Sequence, residues 1–294
     1  MTILVFDIGG SAVKYGVWDQ ESLSQQSSFT TPKSWEEMKE KLLFVKEKMT
    51  NDYGYTIEGV AFSSPGAVNQ AERYIDGLSA VPYIHHFPIY DELEELFGLP
   101  ISMENDANSA ALAEVWKGAA KDNKNVLFVI IGTGVGGSVI VDGEVQHGAH
   151  LFGGEFGLMI LNEKETFSRL ATPVQMAWNY AERKGMPKDS IEGKRVFELA
   201  DEGDPIAIEE EDSFYHYLAI GLYNLTYSFD PEKIIIGGGV SNREGLIKRL
   251  NEELEVLFEQ VNHNTFSPVI ELCQYKNDAN LIGAVYNYKQ NYSK

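Results

Sequence analysis

The chain has 294 residues, 44% of them hydrophobic and 12% aromatic, with 44 acidic against 24 basic residues and a net charge of −20. That length suits two domains or one large α/β unit. The charge argues against nucleic acid and against an anionic membrane surface, because phosphates are held by clustered Lys and Arg.

A polyphosphate site must then rely on backbone N–H groups, a few lysines and a metal ion. The single Cys273 can form no internal disulfide and has no partner for a structural zinc. The opening Met1-Thr-Ile-Leu-Val-Phe-Asp7 is neither a signal peptide nor a membrane span, so a soluble, cytoplasmic protein is expected.

In chain order, Ile3–Phe6 reads as a buried strand, Asp7-Ile-Gly-Gly-Ser11 as a turn and Ala12–Trp18 as a second strand. A third strand is predicted from Leu23 to Phe29. Ser34-Trp-Glu-Glu37 reads as a capping box opening a helix whose buried stripe is Trp35, Met38, Leu42, Val45 and Met49. Glu58–Ser63 is a strand ending in Ser64-Pro-Gly66, where open α/β sheets place ligands. Tyr83–Pro88 is an aromatic-rich loop whose rings could face a sugar or simply pack, and the pair His85-His86 lacks metal spacing.

Leu99–Met103 delivers Glu104-Asn-Asp106 to the front of a helix patterned by Ala107, Ala110, Ala111, Leu112, Val115 and Trp116. Asn105 or Asp106 could serve only as an N-cap. Alternatively Asp106, ionised beside the positive end of the helix, could take a proton from an alcohol.

The opening pattern then recurs. Val126–Ile131 reads as a strand, Gly132-Thr-Gly-Val-Gly-Gly-Ser138 as a turn and Val139–Val141 as a strand. A strand, a glycine turn and a strand at the head of each half imply a duplicated pair of α/β domains across a cleft. Opposed glycine turns could direct many N–H donors at one triphosphate.

Glycines flanking Glu155 in Gly153-Gly-Glu-Phe-Gly157 would let a ligand approach its carboxylate. A helix is predicted from Pro205 to Phe229, ended by Asp230-Pro231. A strand over Lys233–Ile236 then meets the turn Gly237–Gly239, and Ser241-Asn-Arg-Glu244 reads as a capping box opening the next helix. Val269–Cys273 is a strand and Asn280–Tyr288 the closing helix.

Asp7-Ile-Gly-Gly-Ser11, Ser64-Pro-Gly66, Glu104-Asn-Asp-Ala-Asn108, Gly132-Thr-Gly-Val-Gly-Gly137, Gly154-Glu-Phe-Gly157 and Ile236-Gly-Gly-Gly239 together resemble the ROK family of repressors, open reading frames and sugar kinases. The resemblance covers essentially the whole chain. It implies a duplicated actin-like, ribonuclease-H-like ATPase fold, α/β in class, with residues 1–118 and the helix 279–294 in a small domain and 119–278 in a large one. It also implies transfer of the ATP γ-phosphoryl group to a sugar hydroxyl with Mg²⁺.

Carried over motif by motif, Asp7, Gly9, Gly10 and Ser11 would form the first phosphate loop, with Lys14 a candidate for phosphate contact. Gly132, Thr133, Gly134 and Gly136 would form the second, with Gly238 under the adenosine. Gly66, Asn105, Asp106 and Glu155 would hold the sugar, with Asp106 as base and Asp7 near Mg²⁺. Family analogy suggests a homodimer.

The departures narrow the substrate. Most family kinases continue the Gly-Glu motif into Gly-His and a Cys-rich zinc loop, whereas Gly157 here precedes Leu158 and residues 159–185 contain no cysteine. The chain therefore looks like a zinc-free member with a less polar, less closed anomeric end. Leu158-Met159, Glu104-Asn-Asp-Ala-Asn108, Gly221-Leu-Tyr-Asn-Leu225 with Phe229-Asp-Pro231, and Leu281-Ile-Gly-Ala-Val-Tyr286 together resemble bacterial β-glucoside kinases, which implies phosphorylation of cellobiose and related β-glucosides at the 6-hydroxyl of the non-reducing glucose. A free-hexose kinase for glucose or N-acetylmannosamine is the runner-up. A sugar-responsive regulator or an inactive sugar-binding module fits less well, given the acidic chain, its start directly on a strand, and two intact glycine turns.

Overall fold

The computed structural model describes residues 1–262 and 266–292. Residues 263–265 and 293–294, which fall inside the predicted domain ranges, lie outside the described residues. Two compact units emerge: residues 1–121, 147–152 and 277–294 form the first, and residues 122–146 and 153–276 the second. The stretch His147–Phe152 groups with the first unit, although it lies inside the range read from sequence as the large domain.

The first unit begins with β1 (Ile3–Ile8), β2 (Ala12–Asp19), β3 (Ser22–Thr30) and α1 (Trp35–Asn51). It continues through β4 (Gly59–Ser64), β5 (Ala67–Asn69), β6 (Tyr74–Asp76), α2 (Ile89–Phe97), β7 (Ile101–Asn105) and α3 (Asp106–Lys117). Its main sheet runs β3-β2-β1-β4-β7, with β1–β3 antiparallel and β4 and β7 added parallel. Every residue of β1 and β4 is buried, as befits strands covered on both faces.

Ser34 caps α1 by accepting from the Glu37 N–H, a contact worth about 1 kcal/mol. The reciprocal arm differs from the predicted box, because the Glu37 carboxylate takes the Lys33 N–H. Of the predicted stripe, Met38, Leu42, Val45 and Met49 are buried, while Trp35 is half-buried against Phe87.

The second unit repeats this plan. It contains β8 (Val126–Ile131), β9 (Val135–Val141), β10 (Glu144–Val145), the ribbon β11 (Ile160–Asn162) and β12 (Glu165–Thr166), and α4 (Phe167–Leu170). There follow α5 (Pro173–Arg183), α6 (Gly193–Asp201), α7 (Pro205–Phe229), β13 (Lys233–Gly237), α8 (Leu246–Gln260) and β14 (Ile270–Leu272). The sheet order β10-β9-β8-β13-β14 has the same antiparallel and parallel pairings as the first. Asp204 caps α7 and Asp230, in the left-handed region, ends it.

Two predicted elements are corrected. The second glycine turn is only Gly132–Gly134, and β9 already starts at Val135, pairing Gly136 with Ile130 and Gly137 with Val129. Ser241 opens no helix. Its hydroxyl donates to the Gly238 carbonyl inside a 3-10 turn over Gly239–Asn242, and α8 begins at Leu246 with no side-chain cap.

The chain closes with α9 (Ala279–Tyr292), packed on α3 in the first unit. A Cβ on Gly283 would run into the Ser109 carbonyl, so the two helices meet backbone to backbone. Tyr286 stacks on Trp116 at 5.1 Å.

Candidate active site

In the first unit, β1 and β2 present a short turn at their open ends. The Gly9 N–H donates to the Ala12 carbonyl at 3.0 Å, and Thr31 braces the turn, its N–H reaching Ser11 O and its hydroxyl Gly9 O. Thr31 was not among the residues singled out from sequence. Asp7 and Lys14 are cross-strand partners just below the turn, the ammonium 3.9 Å from the carboxylate. One Asp7 oxygen accepts from both Ser63 Oγ at 2.9 Å and Asn280 Nδ2 at 3.0 Å. The other faces Lys14. A carboxylate held through one oxygen can still offer its second to a cation, which fits a divalent metal at a phosphate.

Across the same sheet, parallel β4 and β7 end side by side. Gly66 follows β4 at φ +96°, a conformation open to glycine, and a Cβ there would meet the His85 ring at 2.6 Å. Asn105 ends β7 and spans two neighbours. Its Nδ2 donates to Gly66 O at 3.0 Å, and its Oδ1 caps α3 by accepting from the Ala107 and Asn108 N–H groups. Asn105 is thus the cap, and Asp106 is the first residue of the helix, its carboxylate near the Ala107 N–H at 2.8 Å. Gly66, Asn105 and Asp106 are therefore brought together at one sheet edge.

Beneath them lies a carboxylate to which the sequence reading gave no role of its own. Glu104 is 1% exposed and accepts from the Asn105 N–H, Asn108, Gln70 and His147. Its hydrogen bond pushes the His147 imidazole pKa up against the opposing effect of burial. The available signal was position: β7 is buried through residue 104, and a Glu in such a strand requires partners.

The aromatic loop is tied down by packing. Tyr83 donates to Pro32 O at 2.6 Å, and the His85 ring meets Ser79 Oγ at 2.7 Å and the Asp76 carbonyl at 3.2 Å. Burial lowers the His85 pKa.

In the second unit the corresponding hairpin is bare. The Gly132 N–H donates to Gly134 O at 2.9 Å, and Ser168 Oγ braces the turn through the Val135 N–H. Thr133 and Gly134 are exposed, and a Cβ on Gly132 or Gly136 would meet open space. The cross-strand pair here is Ile130 and Gly136.

Glu155 is exposed on the turn that follows. Two of its flanking glycines are required by packing: a Cβ on Gly154 would strike Gly137 O, and one on Gly157 would strike Val135 O. The Phe156 ring fills the space over Gly137. The turn bearing Glu155 is thereby clamped onto β9.

Gly238, at φ +84°, lies against the Ile131 carbonyl and brings the end of β13 to the second turn. A cleft of about 900 Å³ opens beside both, running from Ile131–Thr133 to Gly239–Arg243, with Ala177, Trp178, Ile191 and Phe197 among its walls. Apolar walls with peptide N–H groups at one end can hold a flat aromatic group carrying an anionic tail.

Among the described residues no group of three His, Cys, Asp or Glu side chains stands ready as a metal site, and no helix is long and apolar enough to cross a membrane.

The ROK family model matches residues 3–291. The chain belongs to the ROK family. A β-glucoside kinase of Listeria monocytogenes is 34% identical, covering 99% of this chain and 98% of its own. A ROK family protein from Streptococcus pneumoniae, solved with sucrose, superimposes with a TM-score of 0.90 at 34% identity, covering 100% and 99%. A ROK hexokinase from Thermus thermophilus gives 0.87 at 29% identity over the full length of both chains. The fold is the duplicated actin-like ATPase fold of these kinases.

Proposed function

We propose that this ATP-dependent carbohydrate kinase transfers the γ-phosphoryl group to the 6-hydroxyl of the non-reducing glucose of a β-glucoside such as cellobiose. The observation carrying the aglycone is Leu158. It is 63% exposed on the turn that begins at Glu155. With the sugar held beside Glu155, an apolar side chain there would leave an anomeric substituent unopposed. The relative named β-glucoside kinase supports this reading, as does the S. pneumoniae protein, whose sucrose is likewise a sugar with a substituted anomeric oxygen.

In this reading Asp106 takes the proton of the attacking hydroxyl, and Gly66, Asn105 and Glu155 orient the ring. Asn105, already bonded to Gly66 and to α3, is preorganised for that task. The turns Gly9–Ser11 and Gly132–Gly134, with Gly136, direct backbone donors at the phosphates, and Gly238 floors the adenosine in the cleft. Asp7 would hold Mg²⁺, which when bound would neutralise the phosphates, and Lys14 adds charge to the same turn. General-base assistance is worth about 10²–10⁴ in rate.

The test is coupled ADP release over a panel of hexoses and β-glucosides. Cellobiose should show a higher kcat/KM than glucose or N-acetylmannosamine. The reverse order would move the assignment to a free-hexose kinase, the reading that the T. thermophilus hexokinase favours.

A further inference from the structure

Glu104 precedes Asn105 in β7, and four donors converge on it. Oε1 accepts from the Asn105 N–H at 2.8 Å and Asn108 Nδ2 at 3.1 Å; Oε2 accepts from Gln70 Nε2 at 2.6 Å and His147 Nε2 at 2.8 Å. Four donors saturate the lone pairs of a carboxylate. Three come from β7, α3 and the turn after β5. The fourth is 43 residues downstream, the first residue of the stretch His147–Phe152 that groups with this unit.

We propose that His147 is a positioning residue for the acceptor sugar, acting through Glu104 on Asn105 and Asp106. The proposal rests on the reading of those two as acceptor-binding residues. The bond from His147 fixes Oε2, so that Oε1 stays on the Asn105 N–H. Asn105 then keeps both its bond to Gly66 and its cap on α3, and Asp106 at the head of that helix inherits its place. His147 is about a third exposed, whereas Glu104 is 1% exposed, so an imidazole at the rim closes on a buried acid.

Among the described residues, Asp106, Tyr90 and Arg73 are the charged or titratable groups nearest this pair in the chain or through its contacts, with Tyr292 acting on Tyr90. On α2, Tyr90 donates to Met103 O at 3.1 Å, and burial followed by the Glu104 charge keeps its phenol protonated. Arg73 lies 5.0 Å over the Tyr90 ring, and Gln70 and Asn108 are neutral. His147 pairs with Glu104 itself.

The test is steady-state kinetics on the full chain, varying the best panel sugar at saturating Mg·ATP and then ATP at saturating sugar. His147→Ala should lower kcat/KM for sugar about tenfold or more, as expected for losing a charged hydrogen bond, with KM for ATP within about twofold of wild type. His147→Arg, which restores a cationic donor, should recover most of the loss. Unchanged sugar kinetics in His147→Ala, or equal loss towards sugar and ATP, would overturn the proposal.

Should His147→Ala fail to fold, the pH profile of His147→Arg decides. Wild type should lose kcat/KM for sugar on the alkaline side as the imidazole deprotonates, and the arginine variant should not. Superimposable profiles would overturn it. Asp106→Asn in the same assay separates the two assignments. Full turnover there defeats the base assignment; lost turnover there beside wild-type sugar kinetics in His147→Ala defeats the His147 assignment alone.

Discussion

The two glycine hairpins share a backbone and differ in chemistry. Both join the first two strands of an identically ordered sheet, and both turns are braced by a hydroxyl residue from outside the hairpin, Thr31 in one and Ser168 in the other. Below the first turn the cross-strand pair is Asp7 and Lys14; below the second it is Ile130 and Gly136. Duplication has kept the strand order and the glycine turn and confined the charged cross-strand pair to one copy. The bare second copy leaves open space at Gly132 and Gly136, where a close backbone approach is unobstructed.

The largest effect should come from erasing the difference. Asp7→Asn removes the carboxylate that the second hairpin also lacks, leaving only the Lys14 ammonium, and kcat/KM for Mg·ATP should fall about 10²-fold or more, measured by ADP release across a Mg²⁺ titration. Activity near wild type would mean that the carboxylate has no part in holding the metal.

Next come two adjacent glycines on opposite faces of β9. Gly137→Ala forces a methyl to 2.5 Å from the Phe128 carbonyl and the Phe156 ring, and should destabilise the fold by about 1–3 kcal/mol in urea unfolding. Gly136→Ala points into open space, so stability should stay within about 0.5 kcal/mol while KM for ATP rises severalfold. Should both variants merely unfold more easily, the second turn is a structural element without a phosphate role.

The smallest effect concerns the charged network that extends the first copy. Glu104 raises the His147 pKa in the folded state, so the added stability is fully present below the unfolded value of about 6.5 and is lost as pH rises through the folded one. Wild type should melt about 2 °C above His147→Gln at pH 5.5, and the gap should close in the alkaline range. A gap independent of pH would show a neutral contact.

Strand–turn–strand repeats and capped helices were legible because apolar runs, glycines and Asp or Ser caps act locally. Gly136 and Gly137 misled, since a glycine pair reads as a turn, whereas pairing with Ile130 and Val129 makes it strand. Ser241 misled in the same way: its hydroxyl is taken by the Gly238 carbonyl, and the predicted box includes Arg243, whose guanidinium is drawn to Asp201 and Glu211. The glycines around Glu155 were visible, but their purpose was not, because the backbone they pack on is Val135 and Gly137. Glu104 and His147 escaped because 43 residues separate them and no periodicity links them.

The most direct test of the central assignment is Asp106→Ala, with turnover measured beside sugar affinity by calorimetry. The account predicts a kcat loss of at least about 10²-fold with sugar affinity far less altered. Near-full turnover would contradict it.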